Sequence, residues 1–194
     1  MRQSVLSRET SETAIRLDWH LDGEGNASIQ SGVGFLDHML TLAAKHGLFD
    51  LSLTCAGDLE VDQHHTVEDS AILLGQAFRE ALGDKAGITR YATVTTPMDE
   101  ALATVSLDIS GRSYLVYHVE GLKDKAGQFD TELVKEFFLA FARHAGVTLH
   151  INLAYGENTH HMIEAIFKGF GRALDEASRI SGRMTGIPST KGML

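Results

Sequence analysis

The pattern His-His-x-x-Glu occurs twice, at His64-His65-Thr66-Val67-Glu68 and at His160-His161-Met162-Ile163-Glu164. The copies lie 160 − 64 = 96 positions apart, about half of the 194-residue chain. The same offset pairs Gly75 with Gly171, Ala77 with Ala173, Glu80 with Glu176 and Ala81 with Ala177, giving seven identities over positions 64–83. At an offset of 98 the preceding segments also align, pairing His46 with His144, Lys45 with Arg143 and His38 with Glu136. The change of two falls in the intervening loop, where length changes are tolerated. A chain that repeats at this period folds as two copies of one unit. We therefore expect a single domain over 1–194 made of two pseudo-repeats, about 10–93 and 94–185, around a pseudo-twofold. A Ser-Thr-Lys-Gly tail follows them.

Within each unit the hydrophobic period changes from two to helical. Ile15, Leu17, Trp19 and Leu21 alternate with Arg16, Asp18 and His20, which predicts a half-buried strand, and Asp22-Gly23-Glu24-Gly25-Asn26 predicts the turn of a hairpin. A helix is expected from Phe35 to His46 with Gly47 as its stop, a strand from Leu48 to Gly57, and a helix from about Thr66 to Leu82. The second half predicts two strands over Asp99–Val119, a helix Leu133–His144, a strand Thr148–Tyr155 and a helix His160–Ile180. The fold class is α/β, an α+β sandwich, each half a small mixed sheet packed against two helices.

Composition narrows the function classes. Acidic residues outnumber basic ones 26 to 17, a net charge of −9, which argues against a nucleic-acid partner. One cysteine cannot form an internal disulfide. No apolar run is long enough to span a bilayer, so no membrane partner is expected, and the polar first ten residues do not resemble a signal peptide. A cytoplasmic globular protein is the expectation.

The ten histidines cluster, and the repeated motif explains how. Residues four apart on a helix nearly eclipse, whereas neighbours diverge by about 100°. His64 with Glu68, and His160 with Glu164, can each converge on one ion, while His65 and His161 must reach toward another. Imidazole and carboxylate donors without thiolate suit Mn, Fe or Zn. His-Glu-x-x-His, the zinc-protease pattern, is a different arrangement. His38 is a further candidate ligand, His46 lies two turns along the same helix, and the repeat sets Glu136 opposite His38. His20, His118, His144 and His150 are more simply structural, with His150 a candidate for orienting a ligand.

Three places gather cations beside small polar residues: Arg90 in Ile88-Thr89-Arg90-Tyr91, Arg112 after Ser110-Gly111, and Ser189-Thr190-Lys191-Gly192. A guanidinium fork and exposed backbone N–H groups both match phosphate oxygens. The tail is expected to fray unless a ligand or another subunit holds it.

Six segments together resemble the imidazoleglycerol-phosphate dehydratase family. They are Phe35-Leu36-Asp37-His38-Met39-Leu40, Asp62-x-His64-His65-Thr66-Val67-Glu68-Asp69, Met98-Asp99-Glu100-Ala101, Asp108-x-Ser110-Gly111-Arg112, Asn158-x-His160-His161-x-x-Glu164-Ala165-x-Phe167-Lys168 and Ser189-Thr190-Lys191-Gly192. The resemblance runs from about Ser11 to the C-terminus. It implies a hydro-lyase of histidine biosynthesis that converts D-erythro-imidazole glycerol phosphate to imidazole acetol phosphate and water. It also implies a duplicated half-domain of the ribosomal-protein-S5-domain-2-like kind and two Mn²⁺ per active site, binding the substrate imidazole or imidazolate. The homo-oligomer it implies is one of trimers assembled into a 24-mer, with sites at subunit interfaces.

By the same resemblance His38, His64, His65, Glu68, His160, His161 and Glu164 match metal-ligand motifs, and Glu136 stands where some members have His. Glu12 and Glu164 are the candidate catalytic carboxylates, with Glu12 expected to move the substrate's C2 proton and Glu164 committed to metal. Arg90, Arg112, Ser189, Thr190 and Lys191 match the phosphate site, Thr190 replacing a serine and keeping its hydroxyl. His46 and Lys168 join Glu12, His38, His64, His65 and Glu68 as substrate contacts. Two other readings stay open. A dinuclear phosphoester hydrolase would use the same ions, and a metal-storage assembly would have no need of the Arg90, Arg112 and tail residues.

Overall fold

In the computed structural model, which describes residues 2–194, the half-unit occurs twice and carries one more strand at its front than its alternation predicts. The first copy runs β1 (Gln3–Glu9), β2 (Thr13–His20), β3 (Ala27–Gln30), α1 (Gly34–Gly47), β4 (Asp50–Gly57) and α2 (His64–Ala81). The second runs β5 (Tyr91–Met98), β6 (Ala101–Asp108), β7 (Tyr114–His118), a small hairpin β8 (Lys125–Ala126) and β9 (Phe129–Asp130), α3 (Glu132–Ala145), β10 (Thr148–Tyr155) and α4 (Thr159–Ser178). The sheets are ordered β1-β2-β4-β3 and β5-β6-β10-β7, so every strand has its counterpart in the same place. This is the duplicated mixed-sheet α/β architecture that the sequence repeat implies.

The Asp22–Asn26 segment does not turn a hairpin. β2 and β3 lie on opposite edges of β4, β2 antiparallel to it and β3 parallel. Alternation of apolar residues fixes which face of a strand is buried, but it does not choose the neighbour. The loop is instead held by Asp50, whose Oδ1 accepts the N–H groups of Glu24 and Asn26 at 3.0 and 2.9 Å. Within the two four-stranded sheets the hairpins are β1–β2 and β5–β6. β1 and β5 escape the pattern because the residues on their inward faces carry little apolar contrast: β1 buries fully only Ser4, and β5 turns Ala92, Val94 and Thr96 inward.

The helices lie between the sheets. α1 and α2 cover the first sheet, α3 and α4 the second, and the helix layers meet with α1 on α4 and α2 on α3. Trp19, Phe49, Phe78, Phe141 and Phe170 form a continuous aromatic core through these layers, with ring centroids 4.9–5.9 Å apart between successive neighbours. The paired glycines let the helices approach. A Cβ on Gly171 would sit 2.1 Å from the Ala43 carbonyl oxygen, and one on Gly75 would sit 2.8 Å from that of Phe141. Gly47 is likewise small for packing, with the Gly171 carbonyl 2.7 Å from where its Cβ would lie. The left-handed stop of α1 therefore falls one residue later, on Leu48 at φ 55°, where the second repeat has Gly146 at φ 68°.

Candidate active site

Each His-His-x-x-Glu motif opens a helix. Asp62 Oδ1 accepts the N–H of His64 at 2.7 Å, and Asn158 Oδ1 that of His160 at 2.9 Å, so equivalent side chains cap both starts. The adjacent rings diverge as helical geometry requires, His64 and His65 at 82° and His160 and His161 at 85°.

Around the second motif three donors gather within one chain, one of them from the first repeat. Single ligand atoms of His38 on α1 and of His160 and Glu164 on α4 all lie within 4.8 Å of one another. Glu164 Oε2 stands 3.2 Å from His160 Nε2 and 3.6 Å from His38 Nε2, while Oε1 meets Lys168 Nζ at 2.6 Å. Burial pushes the Glu164 carboxyl up, but Lys168 and the imidazoles outweigh it and hold the pKa below the usual value. The donor side chains of His38 and His160 are nearly half exposed and open to solvent. Phe35 meets the His160 ring edge-on at 5.4 Å and stacks on Phe129 at 4.9 Å.

The first repeat is less gathered. His64 Nε2 and Glu68 Oε2 are 3.7 Å apart, and Glu136 joins no donor cluster among the described residues. His46 also stays outside the three-donor set. Burial lowers its pKa, and Lys168 and Arg172 lower it further, which places it in a cationic patch beside Glu164.

The diverging imidazoles each have a carboxylate that sequence reading did not single out. Asp58 Oδ2 lies 2.9 Å from His65 Nδ1, and Glu100 Oε2 lies 2.8 Å from His161 Nδ1. These bonds raise both histidine pKa values and leave Nε2 free to bind. Glu100 also accepts the N–H groups of Glu157 and Asn158 at 3.2 and 2.7 Å. With the His161 bond as the largest cause, its pKa falls to about 2. The signal for Glu100 was its place in the Met98-Asp99-Glu100-Ala101 motif; Asp58 had none, because it lies in the loop between β4 and α2, where the helical period that relates the other donors does not run. Glu12, in the β1–β2 turn, faces the same ring as Asp58, its Oε1 3.6 Å from His65 Nε2.

The three cationic segments converge. Arg90, Arg112, Ser189, Thr190 and Lys191 line one pocket of about 610 Å³. Arg90 adopts φ 79° and is held by Asp108 Oδ1 and the Pro188 carbonyl, each at 2.8 Å. The tail is fixed by its own chain: Gly87 N–H donates to Gly186 at 2.8 Å and Lys85 Nζ to the Leu194 carbonyl at 3.2 Å. This pocket lies at the Asp108 end of β6, whereas Glu100 precedes its other end. Seven residue steps at about 3.4 Å separate the two by roughly 24 Å.

A model of the imidazoleglycerol-phosphate dehydratase family matches residues 31–174. The imidazoleglycerol-phosphate dehydratase of Oceanobacillus iheyensis is 66% identical over the full length of both chains. That of Pelobacter propionicus is 60% identical over 100% of this chain and 99% of its own. Among solved structures, the Staphylococcus aureus enzyme superposes with a TM-score of 0.84 at 44% identity, covering 92% of this chain and 99% of that one. The Pyrococcus furiosus enzyme gives 0.84 at 39%, covering 97% and 100%. Fold, site and likeness together define a hydro-lyase built on a duplicated α/β half-domain. The chain belongs to the imidazoleglycerol-phosphate dehydratase family, and the reaction of that family is a dehydration in histidine biosynthesis. Among the described residues, no helix is long and apolar enough to cross a membrane.

Proposed function

We propose that the chain dehydrates D-erythro-imidazole glycerol phosphate to imidazole acetol phosphate with two Mn²⁺ per site, and that the sites form between copies of the chain in a homo-oligomer. The observation that carries this reading is the donor chemistry. His38, His160 and Glu164 converge, and His65 and His161 are oriented through Nδ1 so that Nε2 projects outward. Such sets fit a divalent cation that accepts nitrogen and oxygen, with His64, Glu68 and Glu136 as the second group. Manganese bound there supplies Lewis-acid polarisation, making the substrate's imidazole an electron sink.

The chain's own residues then divide the remaining tasks. Arg90, Arg112, Ser189, Thr190 and Lys191 grip the phosphate, whose remote binding energy orients the glycerol chain. Lys168 adds positive charge beside Glu164, and His46, held toward its neutral form by burial and the neighbouring cations, offers an uncharged imidazole to the substrate. Glu12 takes the proton from C2, the electron pair of that bond becomes the C2–C3 double bond as the C3–O bond breaks, and the proton taken by Glu12 passes to the departing hydroxide, which leaves as water. The resulting enol becomes the ketone. Because the phosphate pocket lies at the far end of β6, roughly 24 Å from the Glu100–His161 end of the same chain, a substrate that reaches both its own phosphate grip and these imidazoles draws on more than one copy. A 24-mer of trimers in the cytoplasm is the assembly that suits this division.

Metal-stripped protein is the starting point of the test. Turnover of imidazole glycerol phosphate, followed through the product ketone, is expected to appear on adding Mn²⁺. Uptake of Mn²⁺ without turnover would remove the dehydratase assignment for this chain and favour hydrolysis or storage.

A further inference from the structure

Glu12 sits in a turn that one helix side chain clamps from both sides. Asp69 on α2 is 6% exposed. Its Oδ1 accepts Arg8 Nε and Nη2 at 3.2 and 3.0 Å, and its Oδ2 accepts the Thr13 hydroxyl at 2.5 Å. Arg8 is near the end of β1 and Thr13 begins β2, so Asp69 ties together the two strands flanking Thr10–Glu12. Inside the turn, Thr10 Oγ1 accepts the N–H groups of Glu12 and Thr13 at 3.1 and 3.0 Å. The Glu12 carbonyl accepts the N–H of Asp58, whose side chain holds His65. The helix that bears His64, His65 and Glu68 thus also sets the backbone of Glu12.

The second repeat lacks this clamp. The hairpins align at 100 − 12 = 88, which pairs Arg8 with Thr96 and Thr13 with Ala101, and the 96 offset pairs Asp69 with Ala165. There Glu100 is fixed directly, by two backbone N–H groups and His161. Glu12 has no donor on its own carboxylate within hydrogen-bonding distance among the described residues, and its side chain is 48% exposed. With neither carboxylate oxygen held, the contacts that place Glu12 are those of its backbone.

We propose that Asp69, through Thr13 and Arg8, is the positioning residue for Glu12. The inference rests on the reading of Glu12 as the proton-moving group. A buried carboxylate bonded to a hydroxyl and a guanidinium is a stiff anchor, and displacement of a reacting group by about 1 Å costs on the order of 100-fold in rate.

The test uses the Mn²⁺-loaded, assembled enzyme with Thr13→Val, Thr13→Ser and Asp69→Ala, the last giving the residue found in the second repeat. Thr13→Val and Asp69→Ala are expected to lower kcat by roughly 10–100-fold with KM within about twofold. The Mn²⁺ binding isotherm should be unchanged, and Thr13→Ser should restore the rate. Added to Glu12→Gln, neither should lower the residual single-turnover rate further. Undiminished kcat in Thr13→Val, lost Mn²⁺ uptake in that variant, or losses that multiply with Glu12→Gln would each overturn the inference. Should Asp69→Ala not fold, Thr13→Val decides alone. Full turnover by Glu12→Gln itself would instead remove the role assigned to Glu12.

Discussion

Glu12 and Glu100 hold equivalent places in the two repeats, yet their surroundings give them different chemistry. Three donors saturate Glu100 and keep it ionised, so it serves as a fixed orienting charge for His161. Glu12 is left open beside His65. Glu12→Gln is expected to lower turnover by about 100-fold or more while Mn²⁺ uptake persists. Glu100→Gln is expected to weaken Mn²⁺ binding by roughly 10–100-fold, since the ring it orients loses its charged partner. Titrating both variants with Mn²⁺ and assaying each at saturating metal separates the roles; equal loss of metal in Glu12→Gln would place that residue among the ligands instead. At this scale the sequence exposed His38, His64, His65, Glu68, His160, His161 and Glu164 through helical spacing and repetition. It did not expose Asp58, Asp69 or the function of Glu100, because these act across loops whose closure no local pattern encodes.

Among the elements, the helix pairs depend on two glycines that occupy the same place in each repeat. At Gly171 an added methyl meets a main-chain carbonyl of α1, which cannot rotate away as a side chain would. Gly171→Ala is therefore expected to push α4 from α1 at a cost of about 1–3 kcal/mol. Thermal unfolding should show a Tm lower by several degrees; an unchanged Tm would mean that the helices can part without penalty. The displacement also separates His38 from His160, so Mn²⁺ affinity should fall with stability. Six of the helices and strands were legible nearly to their ends from hydrophobic period: α1, α2, α3, α4, β4 and β10. The strands β1 and β5 were not, because the residues they turn inward, Ser4, Leu6 and Arg8 in β1 and Ala92, Val94 and Thr96 in β5, are mostly too polar or too small to write a period-two apolar pattern. The neighbour of β3 was not either, since a parallel partner is chosen by the packing of α1 and leaves no mark in the four residues of the strand.

For the whole molecule, the separation between phosphate pocket and imidazole clusters sets the strongest requirement. Glu12→Gln and Arg90→Ala proteins, each inactive alone, are expected to regain activity when dissociated, mixed and reassembled, with about one quarter of sites restored by random mixing if two chains build each site. Mixtures as inactive as their parents would mean that one chain supplies both residues. The sequence by itself determined the duplication, the class of fold, the family resemblance and the helical donor motifs. All of these are carried by spacing along the chain, and spacing survives without three dimensions. Only the tertiary structure decided which strands are neighbours, which carboxylate orients each imidazole, that Glu12 stays free while Glu100 is bound, and that the tail packs on its own chain to complete the Arg90 pocket. Those outcomes depend on contacts between segments far apart in sequence, fixed by how the two sheets and four helices close on one another.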